Sequence, residues 1–295
     1  MSGKMHDNEV VIDVSLVKEL LSEQFPQWAT LPIKLVQSIG TDNAIYRLGT
    51  NMCIRLPRIS GAAKRIETEQ RWLPHFALIL PLAIPVPIGK GNPNKNYPWH
   101  WSIYRWLEGE NACIEPIVNQ HQGAVDLAEF LIALQKIDAT GGPISRRGVP
   151  LTIQDNAVRS AIKSLHGVID TQAVITMWEK CLQAPAWNKS PVWIHGDLLP
   201  ANLLVQKGRL AAIIDFDSLG IGDPACDLIP AWAVFSSDAR KVFRSTLKTD
   251  DATWMRGRGW ALSIALIIIP YYQRSNPGLV DVAWRMIHEL LTDSL

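Results

Sequence analysis

The chain of 295 residues has almost no excess of charge of either sign: 29 lysines and arginines face 28 acids, a formal net charge of +1. That balance excludes the broad basic face of a nucleic-acid binder and the cationic surface that seeks anionic lipid. Paired cysteine spacing is missing too. Cys53, Cys113, Cys181 and Cys226 stand apart, with no C-x-x-C, so neither a zinc site nor a disulfide framework is expected and free thiols in a reducing compartment are. The opening MSGKMHDNEVV has no apolar core of the kind a signal peptide needs. No uncharged run reaches the roughly 20 residues required to span a bilayer. The most apolar stretch, WALSIALIIIPYY at 260–272, is better suited to a core helix. A G-x-S-x-G elbow is absent, which removes support for a serine hydrolase. These absences lead us to expect a cytoplasmic protein without nucleic-acid or membrane partners.

What is present is a large apolar fraction, 47% of residues, and enough length for a large core or two domains. Residues 11–25 place Val14, Val17, Leu20, Leu21 and Phe25 at helical spacing before Pro26. IKLVQSIG, NAIYRLGT and NMCIRLP are short β-like runs separated by Gly40, Gly49 and Asn51, and they predict consecutive antiparallel strands. A charged helix over 62–73 follows, then a Pro-rich connector from Pro74 to Pro98, then a strand, WSIYRWL, at 101–107. Beyond Gly109 the texture turns helical. AVDLAEFLIALQKID at 124–138 is apolar nearly all round, 157–183 predicts one or two helices, and helical patterns continue after a β-like patch at 192–217. The expected organisation is a β-rich N-terminal lobe over 1–108, a mostly helical lobe over 109–295, and a cleft.

Within the β-like patch, IHGDLLPANLLV at 194–205 sets His195, Asp197 and Asn202 among buried positions, where unpaired polar groups are costly. NLLVQKGRLAAIID at 202–215 reads as a hairpin turning at Lys207–Gly208, which would bring Asn202 near Asp215. Two hard oxygen donors beside a loop bearing Asp197 suit Mg²⁺, which takes a few protein oxygens together with substrate phosphates.

H-G-D-x-x-x-x-N at 195–202, I-D-F-D at 214–217 and GDPACDL at 222–228 together resemble the catalytic core of the aminoglycoside phosphotransferase family, whose relatives include choline and macrolide kinases. RLP at 55–57, EQRWL at 69–73 and YRWLEGE at 104–110 fall in the family's order. The resemblance implies an α+β, protein-kinase-like fold of two lobes and a Mg²⁺-dependent kinase that uses ATP or GTP on a small-molecule hydroxyl. An aminoglycoside-type antibiotic is the leading acceptor, and another metabolite or a macrolide is the alternative. On the same resemblance Asp197 is the catalytic carboxylate and Asn202 and Asp215 are the Mg²⁺ ligands. His195 is the structural His of the loop. Asp217 reads as a supporting acid or, more plainly, as the exposed end of a strand. Asp223 and Pro224 suit a helix N-terminus, with Asp227 in its first turn or bonded to the catalytic loop.

The nucleotide side is implied to comprise Gly40 and Asn43 in the turn over the phosphates, Arg55 on the phosphates, and Glu69 as the partner of Arg55, with Glu67 the other candidate. Ile103, Tyr104 and Trp106 would lie at the adenine. Two departures stand out. Arg55 replaces the lysine that protein kinases place on this strand, exchanging a point charge for a planar fork. SIGTDNAIY at 38–46 has one glycine where protein kinases have three. For the acceptor, the helical part offers Glu110, Asp126, Asp155, Asp238, Asp250 and Asp251 for a polycation. Trp232, Trp254, Trp260, Tyr271 and Tyr272 would suit a flatter apolar molecule. Two rivals are weaker. A non-haem iron oxygenase shares H-x-D but needs a distal His, and after His195 there is only His288, in a helical pattern. A kinase-like nucleotide-binding module without turnover would not need Asp197, Asn202 and Asp215 together.

Overall fold

The computed structural model describes residues 9–36 and 42–293. The chain divides into two compact units, Met1–Glu108 with Ala212–Asp217, and Gly109–Ala211 with Ser218–Leu295.

In the first unit, α1 (Val14–Gln24) begins where Asp13 accepts a hydrogen bond from the Leu16 N–H at 2.8 Å, and it buries Val17, Leu20 and Leu21. Strands β1 (Ile33–Leu35), β2 (Asn43–Leu48) and β3 (Met52–Pro57) follow, then the short α2 (Ser60–Ala63) and α3 (Ile66–Phe76). Two more strands, β4 (Pro87–Gly91) and β5 (Trp101–Arg105), complete an antiparallel sheet of order β1-β2-β3-β5-β4. Alternation along the strands gives the sheet two distinct faces. Tyr46, Leu48, Ile54, Leu56, Trp101 and Ile103 form one, packed with α1. Arg55 pairs across the strands with Ile45 and Ser102, and Cys53 with Tyr104, so these five share the other face.

Two local expectations are revised. α3 continues through Pro74 to Phe76, a residue only 1% exposed, so tertiary burial outweighs one missing N–H. The Pro-rich connector also contains a strand, β4. It lies at the sheet's edge with Pro87 at its first position, where a missing donor is tolerated, and a register shift separates Pro87 from Gly89.

The second unit opens with β6 (Glu110–Asn111) and α4 (Gln120–Lys136), whose N-terminus is capped by Asn119 and whose Leu127, Ala128, Phe130, Leu131 and Leu134 are buried. Then come α5 (Asp155–Ser164), α6 (Thr171–Leu182), β7 (Val192–Ile194), β8 (Leu203–Gln206), β9 (Arg209–Ile213) and β10 (Gly220–Gly222). The last two residues of β9 belong to the first unit, where Ile213 donates to the Ala83 carbonyl at 2.9 Å. The chain ends in α7 (Pro230–Ala233), α8 (Ser237–Leu247), α9 (Asp251–Tyr272) and α10 (Pro277–Thr292).

The apolar run at 260–272 forms the second half of α9, buried from Trp260 to Leu266 and at Ile268 and Ile269, while Pro270 and Tyr271 are exposed. Close packing depends on Gly257, where a Cβ would stand 2.8 Å from that of Leu228. Among the described residues no helix is long and apolar enough to cross a membrane.

Candidate active site

In the first unit the candidate residues gather around one guanidinium. β3 presents Arg55 to α3, and its NH1 donates to both oxygens of Glu69, at 2.6 and 2.8 Å. Its NH2 reaches Asp215 Oδ1 at 2.7 Å and Asp217 Oδ1 at 2.8 Å. Glu67, the other candidate partner, pairs instead with Lys90. Glu69 is 1% exposed and also accepts from the Tyr104 hydroxyl. Burial pushes the Glu69 carboxyl up, while Arg55 pulls it down. Burial likewise lowers the Arg55 pKa, but Asp217, Glu69 and Asp215 together raise it well above its ordinary value. Asp215 adopts φ +63°, a left-handed conformation that a non-glycine residue rarely takes without surrounding support.

Asp217 is not the exposed end of a strand. It lies in the turn Phe216–Ser218, half-buried, with Oδ2 accepting from Asn43 Nδ2 at 3.1 Å and its carbonyl accepting from Arg65. Burial pushes its carboxyl up to about 6. Of the two sequence readings it is the supporting acid, not the exposed strand end, that matches these contacts, and its partners could not be named because they lie far away along the chain. The signal present in the sequence was the second acid of I-D-F-D.

The residues expected at the adenine separate. Ile103 is fully buried on the α1 face, away from Arg55, because strand alternation sets it opposite Ser102 and Tyr104. The Tyr104 side chain lies on the Arg55 face. The Trp106 N–H, expected to meet a base edge, donates to the Asn51 carbonyl at 2.9 Å, and the Arg47 guanidinium lies 4.0 Å over the Trp106 ring. Gly40 lies outside the described residues.

In the second unit the loop after β7 holds His195, Asp197 and Asn202. His195 is fully buried, and its Nδ1 accepts from the Asp197 N–H at 3.2 Å. Gly196 has φ +81°, and a Cβ there would stand 2.9 Å from Ser218 Cβ and 3.2 Å from Arg147 Cβ, so the loop requires glycine between His and Asp. The 3₁₀ turn Pro200–Asn202 aims the Asn202 amide back, its Nδ2 donating to the Asp197 carbonyl at 2.8 Å and to Asp197 Oδ2 at 3.2 Å. The expected hairpin is present, with Lys207 and Gly208 both at positive φ in its turn.

Asp227, fully buried, ties this loop down, accepting from the His195 N–H at 2.9 Å and the Gly196 N–H at 2.7 Å. Burial pushes its carboxyl up to about 7, against the pull of those two donors. A folded-state pKa above the unfolded value of about 4 means the folded protein binds the extra proton in between. This group's contribution to stability is therefore full below about pH 4 and lost as pH rises through 7. Asp227→Asn should remove that slope from the melting temperature between pH 4.5 and 8, and an unchanged slope would assign it to another group. Asp223 caps the turn Pro224–Leu228 as expected, accepting from the Ala225 N–H at 3.0 Å. It also forms a buried pair with Arg256, which sequence reading did not find.

The acceptor candidates are mostly engaged. Asp155 binds Arg159 and the Trp178 indole, Asp238 binds Lys241, Asp251 binds Arg244, Asp126 accepts from Gln122, and Asp250 caps α9. Trp232 and Trp260 are fully buried in the core.

Asn202 in the second unit and Asp215 in the first each carry an oxygen of the kind that hard cations such as Mg²⁺ prefer. Among the described residues no group of three or more His, Cys, Asp or Glu side chains is arranged to hold a metal by itself.

Solved structures share this fold. A solved structure of APH(2")-IIia with GDP and kanamycin superposes with a TM-score of 0.73, at 18% identity over 94% of this chain and 97% of that one. The macrolide 2'-phosphotransferase MphH from Brachybacterium faecium superposes with a TM-score of 0.61, at 21% identity over 92% and 98%. YcbJ of Bacillus subtilis (strain 168), an uncharacterized protein, is 24% identical over 204 residues. That match covers 63% of this chain and spans 64% of the relative's length. The fold is thus the α+β, kinase-like one of antibiotic phosphotransferases. The sequence model of the phosphotransferase enzyme family matches residues 36–260, well over half of the chain, and the protein belongs to that family.

Proposed function

We propose that the protein transfers the γ-phosphoryl group of ATP or GTP to a hydroxyl of a small molecule. The observation that carries this reading is the loop at 195–202. There the Asp197 carboxylate accepts from the Asn202 amide, the Asp197 backbone N–H donates to His195 Nδ1, and the loop's backbone is anchored on Asp227. Such a loop offers an oriented acceptor for a proton, with little freedom left to lose at the moment of reaction.

In the reaction, the acceptor hydroxyl oxygen forms a bond to the γ-phosphorus as the bond to the β,γ-bridging oxygen breaks. The hydroxyl proton passes to Asp197, and the nucleoside diphosphate leaves. Arg55, held by Glu69, supplies positive charge to the phosphates. Asn202 and Asp215 would hold Mg²⁺, which when bound neutralises charge developing on the phosphate oxygens. Tyr104 and Gln70 support this arrangement. Tyr104 holds Glu69, and Gln70 ties α3 to β5 and β4 by donating to Ser102 Oγ at 2.9 Å and to the Gly89 carbonyl at 3.2 Å.

The neighbour solved with kanamycin makes an aminoglycoside the first acceptor to try, and a macrolide or a simple amino alcohol the next. The test is label transfer from γ-³²P-labelled ATP and GTP to each acceptor class with and without Mg²⁺. Transfer confined to the Mg²⁺ arms and to small-molecule acceptors is expected. Labelling of protein or nucleic acid alone contradicts the proposal.

A further inference from the structure

Both terminal nitrogens of Arg55 face carboxylates: NH1 donates to the two oxygens of Glu69, and NH2 donates to Asp215 and forms an ion pair with Asp217 at 2.8 Å. An arginine presents its N–H donors in a fixed fork, so the carboxylates that face NH1 and NH2 lie where a phosphate would bind in two-pronged fashion. Each terminal nitrogen of Arg55 thus meets a carboxylate, and a phosphate that reaches NH2 contends with Asp215 and Asp217 for it.

The three carboxylates are not equivalent. Glu69 is buried, takes two of the bonds and is held a second time by Tyr104, so its release would strand a buried charge. Asp217 makes one contact to Arg55, and its other oxygen already has a partner in Asn43 Nδ2. Letting go of Arg55 leaves Asp217 still hydrogen-bonded.

We propose that Asp217 is an internal competitor for the nucleotide: its carboxylate occupies the Arg55 donor that a phosphate takes over, and it retires onto Asn43 when the phosphate arrives. The device sets a threshold. A weakly held anion does not displace a carboxylate at 2.8 Å, whereas a triphosphate with several simultaneous contacts does. The inference rests on the nucleotide-binding role proposed above for Arg55.

The test is calorimetric titration of wild type, Asp217→Asn and Asp217→Ser with MgATP, MgGTP and inorganic tripolyphosphate, each also in an Arg55→Lys background, with melting curves alongside. Asp217→Asn keeps an oxygen for Asn43 and loses the charge that competes. Affinity for nucleotide and tripolyphosphate is expected to tighten by about tenfold, the scale of one hydrogen bond to a charged group. The gain should shrink in the Arg55→Lys background, because a lysine presents no fork to share. A purely structural Asp217 would instead lower the melting temperature and leave affinity unchanged or weaker. Wild type that binds nucleotide while both Asp217 variants bind it equally or less well overturns this inference alone. Wild type that binds no nucleotide overturns the functional reading with it. Loss of folding in both variants also overturns it, since Asp217 would then be a required counterion of the fold.

Discussion

Asp197→Ala is expected to fold like the wild type and to lose turnover by about 10²–10⁴-fold, the usual worth of a positioned general base. The fold should survive because the stronger bond from Asn202 Nδ2 goes to the Asp197 carbonyl, at 2.8 Å, and alanine keeps that carbonyl. The bond at 3.2 Å to Oδ2 is lost, and it is the longer of the two. The backbone N–H bonds from His195 and Gly196 to Asp227, and from residue 197 to His195 Nδ1, do not involve the deleted atoms either. Nucleotide affinity, which the proposal assigns to other residues, should stay within a few-fold. Steady-state turnover, nucleotide titration and a melting curve on one preparation separate these effects. Wild-type turnover in the variant would mean that Asp197 accepts no proton in the rate-limiting step.

Arg256→Ala is expected to produce the largest loss of stability among single substitutions in the second unit, about 3–5 kcal/mol, the cost of removing one partner of a buried ion pair. Arg256 and Asp223 are each 5% exposed, with Nε to Oδ2 at 2.6 Å and NH2 to Oδ1 at 3.1 Å. The same guanidinium satisfies the Pro185 carbonyl at 2.6 Å and Thr253 Oγ1 at 3.1 Å. Alanine would leave a carboxylate, a carbonyl and a hydroxyl without this partner. Asp223 also caps the turn that carries Asp227, so the damage should reach the loop at 195–202 and, if the proposal holds, lower turnover in the fraction still folded. Arg256→Lys should recover part of the stability, since it restores charge without the fork. Denaturant midpoints for both variants test this, and a loss below about 1 kcal/mol, the scale of an exposed pair, would show that the pair is solvated.

What was legible in the sequence was what local chemistry dictates. Alternation of apolar residues gave β2 and β3, and the apolar run at 260–272 gave the buried half of α9. The spacing H-G-D-x-x-x-x-N identified a loop whose glycine has no room for a side chain. The pairing of Arg55 with Glu69 followed from motif order.

What was hidden depends on contacts distant in the chain or on small shifts of phase. Asp217 sits 174 residues from Asn43, and Arg256 sits 33 residues from Asp223, so neither relation leaves a local pattern. Ile103 and Tyr104 differ by one position in a strand, and that single step sends them to opposite faces. β4 was concealed by prolines, which an edge strand can carry where a central one cannot.

The central claim is that the γ-phosphoryl group leaves a nucleotide and arrives on a hydroxyl of a small molecule. Phosphorus-31 NMR of the wild-type protein with Mg²⁺, ATP or GTP, and the acceptors tried in turn tests it most directly. A new phosphomonoester resonance growing one for one with nucleoside diphosphate is the predicted result. Inorganic phosphate as the sole product in every arm, or triphosphate left unconsumed in all of them, would contradict it.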